Sequence, residues 1–311
     1  MIPKDQFEDF CRLYKNRPDF GVRLMDFMGA DALIPAEKAR LIWLEANACS
    51  GDSISMLNAV KPDLRQILCA MLDVRYWNAL MPDEGERAVE KLFSAAEQGG
   101  FILAVEGAIP ARSQGRYAFI FKYGRRAFTA EETLHYLAER AGHIVSVGTC
   151  AAFGGPSAAR PNPSGSRGVW EVVREPVVNV SGCPINPDWL LGTLLHLMLY
   201  GAPKTDRYGR PALFYGQTIH SNCQRRSYFD TGSFAKRLGA PECMFSLGCM
   251  GPITGSDCPY RMWNDHLNWP VKAGTPCIGC TKAGFPDKST PYYAPLSQKI
   301  PVREKSAERQ A

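Results

Sequence analysis

The feature that most constrains this chain is its final third, which is too poor in periodic apolar segments to fold by side-chain burial alone. From Gly201 onward, 111 residues contain eleven prolines, eleven glycines and six cysteines. Such a stretch needs cross-links, and bound metal supplies them where a hydrophobic core cannot. The whole chain holds eleven cysteines, an odd number that suits disulfide pairing poorly. Its first residues lack a basic region followed by an apolar one, so no export signal is expected and metal ligation is favoured over disulfides. Arg125-Arg126-Ala127-Phe128 looks like a twin-arginine export motif, but it lies mid-chain with no apolar run behind it and reads as a surface turn. The longest apolar stretch, Trp189–Tyr200, is too short to span a bilayer. A soluble, cytoplasmic protein is expected, with at most peripheral membrane association.

The 311 residues allow one large domain or two modest ones. Lysine and arginine are scattered and the net charge is only +5, so no nucleic-acid partner is expected. Residues 1–40 read as a mostly helical extension. Residues 41–200 alternate strand and helix. Strands are expected at Leu41–Ala48, Phe101–Ile109, His143–Val147 and Val177–Val180, with a helical stretch through Leu72 that Pro62 interrupts. Helices are expected at Glu84–Gln98, from a capping box at Thr129 and Glu132 through Ala141, and at Asp188–Tyr200 behind Asn186-Pro187. The fold class is therefore α/β, with a flavodoxin-like parallel sheet. Residues 201–311 form a loop-rich cluster domain ending in a polar, charged tail.

Three cysteines of the first domain share one structural position. Cys49, Cys150 and Cys183 each follow a strand through a short loop. Open parallel sheets bind ligands where those loops converge. Each cysteine alone reads as a small buried hydrophobe; together they read as one metal site. A tetranuclear iron–sulfur cluster needs four ligands. Cys49-Ser50-Gly51-Asp52 has the spacing of a Cys-x-x-Cys pair, with Asp52 in the second cysteine's place. Local chemistry leaves two readings of Asp52 open: a carboxylate ligand to iron, or a cap on the following helix.

In the second domain, His220 and Cys223 lie three residues apart, followed by Cys243 and Cys249, which makes four candidate ligands. Cys258, Cys277 and Cys280 form a last group, with Cys277-Ile278-Gly279-Cys280 a true Cys-x-x-Cys. The rival for this group is structural zinc, with His266 completing the set. Cys11 and Cys69 read as structural. A flavodoxin-like FMN carrier with a zinc-stabilised tail is the alternative function. A cluster-bearing respiratory subunit is a second rival, although it would not need the ligand groups of the second domain.

Several motifs carry a family resemblance. Trp43-Leu44-Glu45 leads into Cys49; Gly148-Thr149-Cys150-Ala151-Ala152-Phe153-Gly154-Gly155, Pro161-Asn162-Pro163 and Gly182-Cys183-Pro184-Ile185-Asn186-Pro187 follow. His220-x-x-Cys223, Gly248-Cys249-Met250-Gly251-Pro252, Asn268-Trp269-Pro270 and Pro276-Cys277-Ile278-Gly279-Cys280 complete the series. From Leu41 to Phe285 this order resembles the small subunit of nickel–iron hydrogenases. The resemblance implies an electron-transfer subunit with a linear chain of clusters. Cys49, Asp52, Cys150 and Cys183 would hold a proximal 4Fe–4S cluster. Cys258, Cys277 and Cys280 would hold a medial 3Fe–4S cluster, with Pro270 standing where a fourth cysteine would sit. His220, Cys223, Cys243 and Cys249 would hold a distal 4Fe–4S cluster. The nickel–iron centre would lie on a partner large subunit. Electrons from hydrogen oxidation would pass to an acceptor protein or a quinone-linked partner, in a higher oligomer of heterodimers. Glu45, beside the proximal group, has either a proton-transfer or a structural role. Three departures stand out: Asp52 itself, glycines (Gly51 and Gly155) where one oxygen-tolerant class has extra cysteines, and no export signal or membrane anchor in the sequence. Aspartate at this place points to the high-affinity, oxygen-insensitive, actinobacterial-type uptake group.

Overall fold

The computed structural model describes residues 3–13, 38–60 and 62–287. Of the expected N-terminal extension, Lys4–Leu13 forms a helix, α1. Residues 14–37 and the expected tail lie outside the described residues.

Five strands, β1 (Ala39–Glu45), β2 (Leu72–Trp77), β3 (Ile102–Glu106), β4 (His143–Val147) and β5 (Val177–Val180), form one parallel sheet. Their spatial order is β2-β1-β3-β4-β5, the flavodoxin-like order. Successive side chains point to opposite faces, and both faces are buried. Leu41 and Trp43 enter one core with Val145 and Val180, while Ile42 and Leu44 enter the other with Leu103 and Leu134. Trp43 stacks on Trp77 at 4.1 Å between ring centroids.

The expected helical stretch is present up to Met71, but β2, which starts at Leu72 where that stretch ends, was not expected. A short helix, Leu64–Gln66, and a π-turn, Ile67–Met71, run straight into it. Asp73 and Arg75 interrupt its apolar pattern, as an edge strand tolerates. The expected strand Phe101–Ile109 also breaks at Gly107, whose φ is +98°. A Cβ there would meet the Asn47 carbonyl carbon at 2.6 Å, so only glycine lets β3 turn against the loop leaving β1.

The helices follow their sequence signals more closely. α2 is Gly51–Met56, α3 Gly85–Glu97, α4 Ala130–Ala138, α5 Gly148–Phe153 and α6 Pro187–Tyr200. Thr129 caps α4 by accepting from the amide of Glu132 at 3.2 Å. The Glu132 carboxylate does not complete the box but pairs with Arg126. Arg125 lies in the turn of a hairpin, Phe119–Tyr123 with Arg126–Thr129, and both arginines are exposed. Asn186 caps α6 by accepting from the Asp188 amide at 3.0 Å, with Pro187 in the first turn. Among the described residues no helix is long and apolar enough to cross a membrane.

After α6 the chain makes only short helical turns, such as Ala212–Tyr215, Arg226–Asp230 and Cys258–Arg261. Phe214, Tyr215, Cys258, Trp269 and Cys277 belong to the same core as Trp43 and Leu190, so the loop-rich part is packed on one face of the sheet. Arg261, 1% exposed, joins the two: it bonds Asp257 at 2.7 Å and Asp188 of α6 at 3.1 Å. Asp257 also accepts from Trp189 Nε1 at 2.7 Å. Removing one partner of such a buried set strands the others. Arg261→Met is therefore expected to destabilise the protein by about 3–5 kcal/mol. Thermal unfolding followed by circular dichroism checks this, and a loss no larger than the ~0.5 kcal/mol of an ordinary surface change would refute it.

Candidate metal centres

The carboxyl edge of the sheet gathers the first ligand group as the strand pattern requires. β1 ends at Glu45, and Cys49 follows just before α2. Ser50, with φ at 57°, turns the chain into that helix. β4 passes directly into α5, which carries Cys150, and Cys183 follows β5 through Ser181-Gly182. Cys49, Cys150, Cys183 and Asp52 lie near enough to repel one another electrostatically.

Asp52 does not cap its own helix. It sits in the first turn of α2, buried, and its Oδ1 accepts from the amide of Ile185 at 2.7 Å, in the loop just after Cys183. Its Oδ2 lies against Gly148, where a Cβ would fall 1.9 Å from it. Gly148 has φ at +85°, so glycine there serves both the backbone and the carboxylate. The cap on α2 comes from another strand. Glu106, at the end of β3 and 1% exposed, accepts from the amides of Asp52 and Ser53 at 3.0 and 3.2 Å. Ser53 Oγ and Trp43 Nε1 also donate to it, at 2.5 and 3.1 Å. Negative charge at a helix N-terminus is favourable, and these donors offset its burial. Glu45 accepts from Asn78 Nδ2 at 3.1 Å and lies 3.1 Å from Ser53 Oγ, beside this junction. Glu106 was not singled out from the sequence, although a carboxylate ending an otherwise apolar strand is a readable signal.

The second group is Cys258, Cys277 and Cys280. Together with Cys183, Trp269 and Pro270 they line an open cavity of about 490 Å³. Ser256 Oγ donates to Cys258 Sγ at 3.0 Å, and the amide of Gly279 donates to Cys277 Sγ at 3.4 Å. His266 does not join them. Its Nε2 faces Asp188 at 3.6 Å, its Nδ1 is buried without a partner, and the zinc reading loses its fourth ligand. The third group, His220, Cys223, Cys243 and Cys249, lines one small cavity. Two of its lining residues, His220 and Phe245, pack on Phe229: the His220 ring meets Phe229 edge-on at 4.4 Å, and Phe229 meets Phe245 at 5.4 Å. The amide of Arg225 donates to Cys223 Sγ at 3.4 Å.

The electrostatics of these groups fit a bound cationic centre. Burial, reinforced by neighbouring thiols and acids, pushes Cys150 and Cys183 up to about 12. Burial and the nearby Glu106 raise Asp52 to about 7, against the Ile185 amide, which lowers it. Burial also pushes Cys258 up to about 12 and raises Cys277, Cys280, Cys223 and Cys249. Thiols crowded in this way ionise readily only around metal. Among the described residues no three His, Cys, Asp or Glu side chains converge on the space of a single ion. A cluster is wider than an ion and takes ligands that stand further apart, so the donor set suits clusters better than zinc. Cys11, by contrast, is buried beside α6 with its thiol pushed up to about 12, a core residue. Cys69 is exposed in the π-turn before β2.

Comparison with known proteins agrees with this geometry. The family described as the C-terminal part of the NiFe/NiFeSe hydrogenase small subunit matches residues 215–293. The family described as NADH ubiquinone oxidoreductase, 20 Kd subunit, matches residues 49–197. The respiratory match stops before the second and third ligand groups, which the hydrogenase match contains. The periplasmic [NiFeSe] hydrogenase small subunit of Desulfomicrobium baculatum is 39% identical over 83% of this chain and 88% of its own. The uptake hydrogenase small subunit of Afipia carboxidovorans is 33% identical over 95% of this chain and 81% of its own. The solved actinobacterial-type NiFe-hydrogenase from Ralstonia eutropha H16 superposes with a TM-score of 0.77 at 30% identity, covering 84% of each chain. None of these supports a flavin carrier. With the fold, the ligand groups and relatives matched over most of their length in agreement, this chain belongs to the small subunits of nickel–iron hydrogenases, electron-transfer proteins that carry iron–sulfur clusters and pair with a large subunit.

Proposed function

We propose that Cys49, Asp52, Cys150 and Cys183 hold a proximal 4Fe–4S cluster, that Cys258, Cys277 and Cys280 hold a medial 3Fe–4S cluster, and that His220, Cys223, Cys243 and Cys249 hold a distal 4Fe–4S cluster. The observation that carries this reading is the placement of the groups: the second lies between the other two and touches both. Cys280 neighbours Cys183 on one side, and Cys277 neighbours Cys249 on the other. When bound, such clusters relay single electrons, here from hydrogen oxidised in the large subunit towards an acceptor protein or a quinone-linked partner.

The chain's own residues set the conditions for that relay. Amides aimed at Cys223, Cys249 and Cys277 stabilise sulfur charge, and such hydrogen bonds tune cluster potentials. The Asp52 carboxylate divides its work: Oδ1 is fixed by Ile185, and Oδ2 lies against Gly148, the first residue of the helix that carries Cys150. A carboxylate is a harder donor than a thiolate, so it shifts the proximal potential and makes coordination there more adaptable on oxidation. This trait supports the high-affinity, oxygen-insensitive, actinobacterial-type uptake group. The two functional parts are residues 41–200, which meet the large subunit, and 201–311, which pass electrons outward. A cytoplasmic or membrane-peripheral complex, built as an oligomer of heterodimers, completes the reading.

Three results test it. The natively purified complex should contain nickel and about eleven cluster irons per small subunit, in two 4Fe–4S clusters and one 3Fe–4S, beside the iron of the nickel–iron centre; zinc without iron would sink the reading. Asp52→Cys should retain all the iron but shift the proximal potential and the oxygen response, and no change in either would rule out ligation by Asp52. Gly148→Ala drives a methyl into the Asp52 carboxylate. It should remove about four of the about eleven cluster irons and spare the medial and distal spectra, so a full iron content would contradict the placement of Asp52.

A further inference from the structure

The ligand groups are joined to one another through their own backbones. The amide of Cys277 donates to Cys249 Sγ at 3.4 Å, and the amide of Met250 returns a bond to the Cys277 carbonyl at 2.7 Å. At the other junction the hydroxyl of Thr149, next in sequence to Cys150, donates to the Cys280 carbonyl. Each link is a hydrogen bond that joins a cysteine of one group, or its sequence neighbour, to a cysteine of the next. The Met250 amide braces the first link, and Gly182 braces the second.

Thr149 precedes Cys150 and is 1% exposed. Its amide donates to the Gly182 carbonyl at 2.7 Å, and its Oγ1 accepts from the Gly182 amide at 2.9 Å. The same hydroxyl donates its proton to the Cys280 carbonyl. A hydroxyl has one proton to give and lone pairs to receive, and both functions are in use here. One side chain therefore ties the loop of Cys150 and the loop of Cys183 to the backbone of Cys280. Attachment of the two halves does not depend on it alone. Ser181 Oγ donates to the Thr281 carbonyl at 2.8 Å, and Tyr215 donates to the Ser181 carbonyl at 2.7 Å.

We infer that Thr149 is a positioning residue for electron transfer: its hydroxyl holds the Cys280 backbone on the loops of Cys150 and Cys183, and its bond to the Cys280 carbonyl is the hydrogen-bonded link between these neighbouring ligand groups. The inference rests on the ligand sets proposed above. A route through covalent bonds and one hydrogen bond couples donor and acceptor better than an open gap of the same width. Each transfer oxidises the proximal side by one electron and reduces the medial side by one. No bond to Thr149 forms or breaks, and no proton needs to move.

The test compares Thr149→Val, which keeps the shape and removes the hydroxyl, with Thr149→Ser, which keeps the hydroxyl, both in the assembled holo-heterodimer. Three measurements are made: hydrogen–deuterium exchange at the large subunit, magnetic coupling between the proximal and medial clusters by pulsed EPR, and the rate at which hydrogen reduces the medial cluster by rapid freezing. Thr149→Val should leave isotope exchange at the wild-type rate, weaken the coupling and slow medial reduction about ten-fold, a size usual for residues supporting metal ligands. Thr149→Ser should restore coupling and rate together. Coupling and rate both unchanged in Thr149→Val would overturn the inference and leave Thr149 a structural stitch. The EPR measurement reads only molecules holding both clusters, so partial loss of iron does not mask either outcome. A wild-type complex lacking the proximal or the medial cluster would instead overturn the ligand sets.

Discussion

The structure depends on one joint, where the carboxyl edge of the sheet grips the backbone of Cys280 and Thr281. Thr149, Ser181 and Arg210 supply its donors, and all three are buried. Each such bond contributes only about 1 kcal/mol net, so their importance lies in position rather than in summed energy. Thr149 and Ser181 sit where the chain leaves β4 and β5, while Arg210 comes from the loop-rich half itself. Their acceptors sit on a segment with no regular structure, and a loop-rich half gains its geometry by borrowing it from the sheet. Left unmade, the same buried carbonyls would cost more than the bonds return, which makes the joint specific.

The grouping of the cysteines was legible in the sequence because cysteine is rare and its spacing is rigid. Cys49, Cys150 and Cys183 could be assigned to one edge from strand order alone, since parallel strands deliver their following loops to the same side. The caps Thr129 and Asn186 were legible because short polar side chains beside an apolar period have few other uses. β2 was not. It is an edge strand in which Asp73 and Arg75 face outward, so its apolar residues do not alternate cleanly, and the preceding π-turn blurs its start. Glu106 had a local signal, a carboxylate ending an apolar strand, but its partners and those of Thr149 could not be read. Their importance is a matter of partners distant in sequence, and no local pattern records that Thr149 will meet Cys280.

Asp52 shows how far local chemistry reaches. Ligand and helix cap were equally open readings while only Cys49-Ser50-Gly51-Asp52 was in view. The structure removes the second, because the carboxylate turns away from its own helix towards Ile185 and Gly148, and Glu106 takes over the N-terminus of α2. A cysteine in this position would need no such support, since a thiolate has one donor atom and a weak appetite for hydrogen bonds. A carboxylate has two oxygens. One that is buried must have the second satisfied, and the Ile185 amide does this from the loop that carries Cys183.

Stability and function converge on the same atoms for an electrostatic reason. Burial and neighbouring charge hold Cys150, Cys183, Cys223, Cys249, Cys258, Cys277 and Cys280 towards their neutral forms. Ionised together without a cation, these side chains would oppose the packing that surrounds them. A bound cationic centre reverses the sign of each interaction, so ligand binding and the folding of the loop-rich half become a single free-energy change. The proline and glycine content that prevents residues 201–311 from building an independent core is then no defect. It lets the backbone approach sulfur closely enough to donate amides at Cys223, Cys249 and Cys277. The packing a helix would have supplied is replaced by hydrogen bonds that act on the electrons being carried.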